Sequence, residues 1–232
     1  MKHIRFYLNK DLDKYVAFQF LHEKAAGVDF GEKIQKDHPY LTIARKTKDA
    51  LGKKRIVNAY FDVFYKKHRQ ELEKKLSLVR TMWRDKEKDF FDTTEALFDG
   101  FEFREGMYIA YLSIIDCNPR FLDSKTFQWF YQKNIEETVF TIAHELLHFI
   151  FFDFANKKLK KEITKISEER LWNLSEIFNA VVLKAEIYKN IINPKYVIPY
   201  PEHKKYLHTF EKKLKNVKDM REFIMWGIQT LK

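Results

Sequence analysis

The stretch that decides the fold reads VFTIAHELLHFIFF and covers residues 139–152. Apolar residues fall on every side of a helix drawn through it, which is typical of a helix in a protein interior. Asn134 can cap this helix, and Glu136 and Glu137 in its first turn suit the helix dipole. We therefore predict a buried helix from about Asn134 to about Phe152, although it carries two histidines and a glutamate that are costly to bury alone.

The two histidines of this stretch have the spacing of metal ligands. His144 and His148 are four residues apart, so both imidazoles project from one face of a helix and can reach one ion. Glu145 lies roughly 100° round the axis and could take a proton from a water at the metal without being a ligand itself. This is the His-Glu-x-x-His pattern of zinc metalloproteases. The alternative to a metal site is that both histidines are structural residues of the core with hydrogen-bond partners.

A third ligand has to be a histidine or a carboxylate, because a single cysteine excludes cysteine-rich metal sites. Ser167 can cap a further helix that extends to about Leu183. Glu168 and Glu169 in its first turn are explained by the helix dipole. Glu176 lies in an apolar part of this helix and has no basic neighbour three or four residues away. We therefore predict Glu176 as the third ligand, with Glu169 in reserve.

The motif His144 to His148, followed by a helix with a glutamate, resembles the gluzincin clan of zinc metallopeptidases. Residues 171–180 are also similar to the Trp-Leu-Asn-Glu-Gly-Phe-Ala signature of gluzincin aminopeptidases. The resemblance covers about residues 100–190, and the chain's size is closest to the compact minigluzincins. Glu176 lies 28 positions after His148, a longer gap than is usual in gluzincins, and we expect the lysine-rich residues 157–165 to form an extra loop. Aminopeptidase specificity is not implied.

The resemblance implies a Zn²⁺ cofactor held by His144, His148 and Glu176, with Glu145 as the general base in the hydrolysis of peptide bonds. Gluzincins also use a tyrosine or histidine to stabilise the oxyanion. Here His203 is the first candidate, although a surface histidine at a helix start is an equal reading. Two asparagines on the face of Glu176, at i−3 and i+3, are candidates to orient the imidazoles. The other oxyanion candidates are Tyr196, Tyr200, Tyr206 and His208, and the two asparagines are Asn173 and Asn179.

The remaining patterns predict an α+β fold. We expect a zincin-like core, in which a small sheet packs on the active-site helix and the glutamate helix follows, after a mostly helical N-terminal region. The predicted domains are residues 1–100, of unknown role, and residues 101–232, the catalytic core with C-terminal helices. By analogy, the last predicted strand could be a sheet edge to which an extended substrate adds. The predicted elements are strands at 3–8, 107–115 and 126–131, a helix from Asp11 to about Ala26 that stops at Gly27, and a long amphipathic helix over 53–89.

The charge of the 232-residue chain is strongly positive, with 43 Lys and Arg against 33 Asp and Glu, or +10. The lysines are spread over many helices and show no nucleic-acid-binding module, so we expect peptide or protein substrates and no nucleic acid. No signal peptide is visible, and residues 139–154 look too short and too polar to span a membrane. We therefore expect a cytoplasmic protein. The alternative is a basic, non-catalytic binding protein with a structural or vestigial zinc site.

Overall fold

The computed structural model describes residues 3–103 and 107–231. Helices carry most of these residues and the strands are short, so the predicted α+β class is confirmed. The elements are β1 (His3–Leu8), α1 (Lys10–Phe20), β2 (Lys24–Ala25), β3 (Val28–Asp29), α2 (Phe30–Asp37), α3 (Leu41–Lys46), α4 (Ala50–Leu97), β4 (Met107–Ser113), β5 (Arg120–Phe121), β6 (Thr126–Phe130), α5 (Ile135–Lys158), α6 (Lys160–Ile163), α7 (Glu168–Val182), 3₁₀ turns at Glu186–Tyr188, Pro194–Tyr196 and Pro201–His203, α8 (Lys204–Leu214) and α9 (Met220–Thr230).

The sheet has four strands in the order β1-β4-β6-β5. Strands β4 and β6 are parallel, with Ile109 opposite Thr126 and Ser113 opposite Phe130. The expectation that residues 126–131 form a sheet edge is wrong, because the two-residue strand β5 pairs antiparallel with the outer side of β6. All five residues of β6 are buried, as suits an interior strand.

Contacts divide the described chain into two compact units. The helical unit comprises residues 3, 83–103, 107 and 139–231, and the sheet unit comprises residues 4–82 and 108–138. Both units draw on residues before and after position 100, so they differ from the predicted domains 1–100 and 101–232. The reason is visible in the sheet, where β1 from the N-terminal region lies beside β4.

The first helix is shorter than predicted. Its N-cap is Asn9, whose side chain accepts a hydrogen bond from the Leu12 amide at 3.0 Å, and the helix ends at Phe20. Gly27 does not stop this helix but lies in the turn between β2 and β3. Ala26 and Gly27 have φ values of 47° and 81°, as a tight hairpin turn with two positive φ angles requires.

Two predictions about the helical unit need correction. The predicted loop at 157–165 is largely helical, because α5 continues to Lys158 and α6 follows after one residue. By length and composition alone, the 24-residue helix α5 is also capable of crossing a membrane, so the expectation that this stretch is too short was wrong. Its most apolar part is nevertheless 78% buried inside the protein, as in the core helix of a globular fold.

A buried carboxylate lies at the centre of the sheet unit. Asp13 on α1 is inaccessible to solvent, and its Oδ2 accepts hydrogen bonds from the Tyr65 hydroxyl at 2.7 Å and the Ile114 amide at 2.9 Å. Its Oδ1 accepts one from Gln128 Nε2 at 2.6 Å. Burial raises the pKa of Asp13 from 3.8 to about 6, although these hydrogen bonds act to lower it. Burial therefore outweighs the donors, and the folded chain holds this proton more tightly than the unfolded chain does.

We predict that Asp13→Asn changes the pH dependence of stability. Since the folded pKa lies above the unfolded value, Asp13 stabilises the fold below about pH 4 and loses this contribution as the pH rises through about 6. The gap corresponds to about 3 kcal/mol. In this variant the Gln128 side-chain amide can rotate by 180°, so that its Oε1 accepts a hydrogen bond from the NH₂ group that replaces Asp13 Oδ1. The rotation breaks no hydrogen bond of Oε1, because that atom is buried with no hydrogen-bond partner in the described chain.

Urea unfolding at a series of pH values measures this effect. The free energy of unfolding of Asp13→Asn, relative to that of the natural chain, should rise by up to about 3 kcal/mol between about pH 3.5 and about pH 7. Parallel stability profiles for the two proteins would contradict the assigned burial of this carboxyl.

Candidate metal centre

Helix α5 brings the two motif histidines together inside the helical unit. Their Nε2 atoms lie 3.0 Å apart, and the ring planes meet at 85°. The His148 side chain is fully buried, whereas 20% of the His144 side chain is exposed. The pair is therefore enclosed on the His148 side and reachable from solvent on the His144 side.

Helix α7 supplies the carboxylate. The Ser167 side chain caps it by accepting a hydrogen bond from the Arg170 amide at 3.2 Å, as the sequence predicts. Glu176 is 5% exposed, and its two oxygens face different histidines. Its Oε2 lies 3.3 Å from His144 Nε2, and its Oε1 lies 3.4 Å from His148 Nε2. The reserve candidate Glu169 is exposed on the first turn and does not belong to this group.

The geometry of these three residues fits a metal ion. Their ligand atoms all lie within 4.8 Å of one another and could hold an ion, as predicted. The two imidazole nitrogens are 3.0 Å apart, and each lies 3.3 or 3.4 Å from a different oxygen of Glu176. Tetrahedral coordination with bonds of about 2.0–2.1 Å requires ligand atoms about 3.3 Å apart. Two imidazoles and one carboxylate are also a donor set that zinc accepts, with a fourth position left for water or substrate.

Glu145 lies in α5 next to the first ligand and is 4% exposed. It does not belong to the three-residue ligand group. Its place in the helix, roughly 100° round the axis from His144, separates it from the ligand face. The structure therefore agrees with Glu145 not being a ligand, and its role as a general base stays a prediction.

Two asparagines of α7 reach other elements of the helical unit on either side of Glu176. Asn179 donates from Nδ2 to the backbone oxygen of His144 at 2.8 Å. Asn173 Oδ1 lies 2.6 Å from His203 Nε2. The sequence found both residues by their shared face with Glu176. It did not show that the partner of Asn179 is a backbone carbonyl rather than an imidazole.

Of the five oxyanion candidates, His203 is hydrogen-bonded to Asn173 on the glutamate helix. It is 3% exposed, so the alternative of a surface histidine is wrong, and its ring packs against those of Trp172 and Tyr200. Burial lowers the pKa of His203, while Glu176 and Glu202 act to raise it. His208 is exposed on α8, and the tyrosines at 196, 200 and 206 are half-buried.

Comparisons of this chain with known protein families, with curated proteins and with solved structures gave no match. The case for a function therefore rests on the motif and on the geometry of the site.

We predict that purified protein binds about one zinc ion per chain and that this binding needs the ligand group. His148→Ala and Glu176→Ala should lose the metal, because each removes one of three converging donors. Glu169→Ala, which removes an exposed acid from the same helix as Glu176, is the matched control and should keep it. Elemental analysis after dialysis measures the metal. Full retention in Glu176→Ala would show that this carboxylate is not a ligand.

Proposed function

We propose that the protein is a zinc-dependent metallopeptidase of the gluzincin type. The observation that carries the proposal is the convergence of two imidazoles and a carboxylate beside a buried glutamate in the motif His144 to His148. A bound zinc ion supplies a Lewis acid that polarises a peptide carbonyl and lowers the pKa of water. His144, His148 and Glu176 hold the ion, and Glu145 accepts the proton of the attacking water and passes it to the leaving amine.

His203 is the proposed donor to the developing oxyanion. Its neutral imidazole has one N–H and one acceptor nitrogen, so the partner of Nε2 decides which nitrogen carries the proton. In the structure Asn173 Oδ1 faces Nε2, so Nε2 carries the proton of the neutral ring and Nδ1 is an acceptor. The proposal therefore requires the Asn173 amide to rotate by 180° and present its NH₂ group to Nε2, which moves the proton to Nδ1 and makes Nδ1 the donor. Nδ1 is buried and has no hydrogen-bond partner within the residues described, which suits a donor that acts on a bound substrate.

The proposed substrates are peptides or proteins, and the net charge of +10 favours acidic ones. We keep the proposals that the protein is cytoplasmic and binds neither nucleic acid nor membranes. The alternative is a basic binding protein with a structural or vestigial zinc. Structural zinc sites are closed by four protein ligands. Three ligand atoms converge here within the described chain, and His144 is partly exposed, so the site favours catalysis.

We predict that Glu145→Gln abolishes peptide cleavage and keeps the metal. The amide cannot accept the proton of the attacking water, so the rate should fall roughly 10²–10⁴-fold. The measurement is cleavage of a broad peptide library with and without chelator, together with zinc content. Glu136→Gln, an exposed position of the same helix, should keep full activity. If the library is not cleaved, or if Glu145→Gln cleaves it normally, the peptidase proposal fails.

We predict that His203→Ala lowers kcat roughly 10²–10³-fold with zinc content unchanged, because it removes a donor to the oxyanion and no ligand. His208→Ala, at an exposed position of α8, is the control and should behave as the natural chain does. Steady-state kinetics on one cleaved peptide decide the matter. An unchanged kcat would leave His203 with a packing role against Trp172 and Tyr200.

A further inference from the structure

We propose that Asn179 is a positioning residue that fixes Glu176 against the histidine pair and thereby sets the metal affinity of the site. The inference rests on the proposed function, because it takes His144, His148 and Glu176 as the ligands of one metal ion. Three ligand residues alone do not make a site, because they must also be held at the right separation. The helix that carries the carboxylate must be held to the helix that carries the imidazoles at the level of the metal.

The first observation is the hydrogen bond between the two helices. Asn179 is inaccessible to solvent and donates from Nδ2 to the His144 backbone oxygen at 2.8 Å. Within an α-helix that oxygen already accepts the amide of the residue four positions on, and a carbonyl has a second lone pair for a further donor. The Asn179 bond is therefore additional to the helix's own bonding and joins α7 to α5 at a ligand residue.

The second observation is the place of Asn179 relative to the carboxylate. It follows Glu176 by three residues, which puts both side chains on one face of α7 and only about 4.5 Å apart along its axis. The two Glu176 oxygens lie 3.3 and 3.4 Å from two different imidazoles. Metal–ligand distances tolerate deviations of about 0.2 Å, so a rotation or slide of α7 by a larger amount would spoil the set.

An aromatic contact between the same two helices is not directional. Phe151 on α5 and Phe178 on α7 pack with ring centroids 5.1 Å apart. Burial of apolar surface stabilises such a contact but does not fix its orientation. The hydrogen bond of Asn179 does fix an orientation, since it requires alignment of a donor with an acceptor.

The third observation is an energetic cost in the same side chain. Asn179 Oδ1 is buried and has no hydrogen-bond partner within the described parts of the chain. An unsatisfied buried acceptor destabilises a fold, and an apolar side chain of similar shape would avoid the cost. An amide is therefore a poor choice here for packing alone, whereas it is required for the bond to the His144 oxygen.

The test compares Asn179→Leu and Asn179→Ala with a matched control, Ser175→Ala. Ser175 is equally buried on α7 and precedes Glu176, but its hydroxyl bonds within its own helix, to the Trp172 oxygen at 2.7 Å. Zn²⁺ affinity is measured by competition with a chromophoric chelator, and the ligand geometry is read from the visible absorption of the Co²⁺-loaded proteins. Urea unfolding of the metal-free proteins reports separately on the fold.

Both Asn179 variants should bind zinc roughly 10–100-fold more weakly than the natural chain and show an altered Co²⁺ spectrum. Ser175→Ala should keep the affinity and the spectrum. If the Asn179 variants lose only stability in urea and match Ser175→Ala in both metal measurements, the positioning role is refuted. A natural chain that binds zinc but cleaves no peptide would refute the peptidase proposal alone, whereas one that binds no zinc would refute both.

Discussion

The structure of the helical unit depends on the burial of three candidate ligands, two of them on α5, its most apolar helix. Two imidazoles and a carboxylate inside a core are costly unless each group is compensated by another. Here the ligand atoms of His144, His148 and Glu176 compensate one another at separations of 3.0 to 3.4 Å. A bound cation coordinated by all three groups would offset part of this cost, which is why metal binding and folding are coupled in such sites.

Different helices of the helical unit contribute different residues to the candidate site. Helix α5 supplies the imidazoles and the candidate base Glu145, and α7 supplies the carboxylate. The two asparagines on either side of Glu176 hydrogen-bond α7 to its neighbours: Asn179 to the backbone oxygen of His144 and Asn173 to the imidazole of His203. His144 is partly exposed and His148 is completely buried, so the candidate site is open to solvent on the His144 side.

The sequence predicted the residues of the candidate site better than the arrangement of the chain. The spacing of His144 and His148, the isolated acid Glu176 and the cap at Ser167 are local signals, and the structure has the predicted group and cap. The prediction that Gly27 stops the first helix was wrong, because a glycine at a helix end and a glycine in a hairpin turn give the same signal in sequence. Strand β5 has only two residues and exists through its pairing with β6. The bond of Asn179 could not be predicted, since every residue has a backbone carbonyl that could accept it.

The most direct test of the account is X-ray diffraction from zinc-loaded crystals, with data collected on both sides of the zinc absorption edge. The account predicts one anomalous peak within about 2.0–2.1 Å of His144 Nε2, His148 Nε2 and a carboxylate oxygen of Glu176. The carboxyl group of Glu145 should lie beside this peak without coordinating the metal. A peak held by other residues, or no peak among these three side chains in a zinc-loaded crystal, would contradict the central claim.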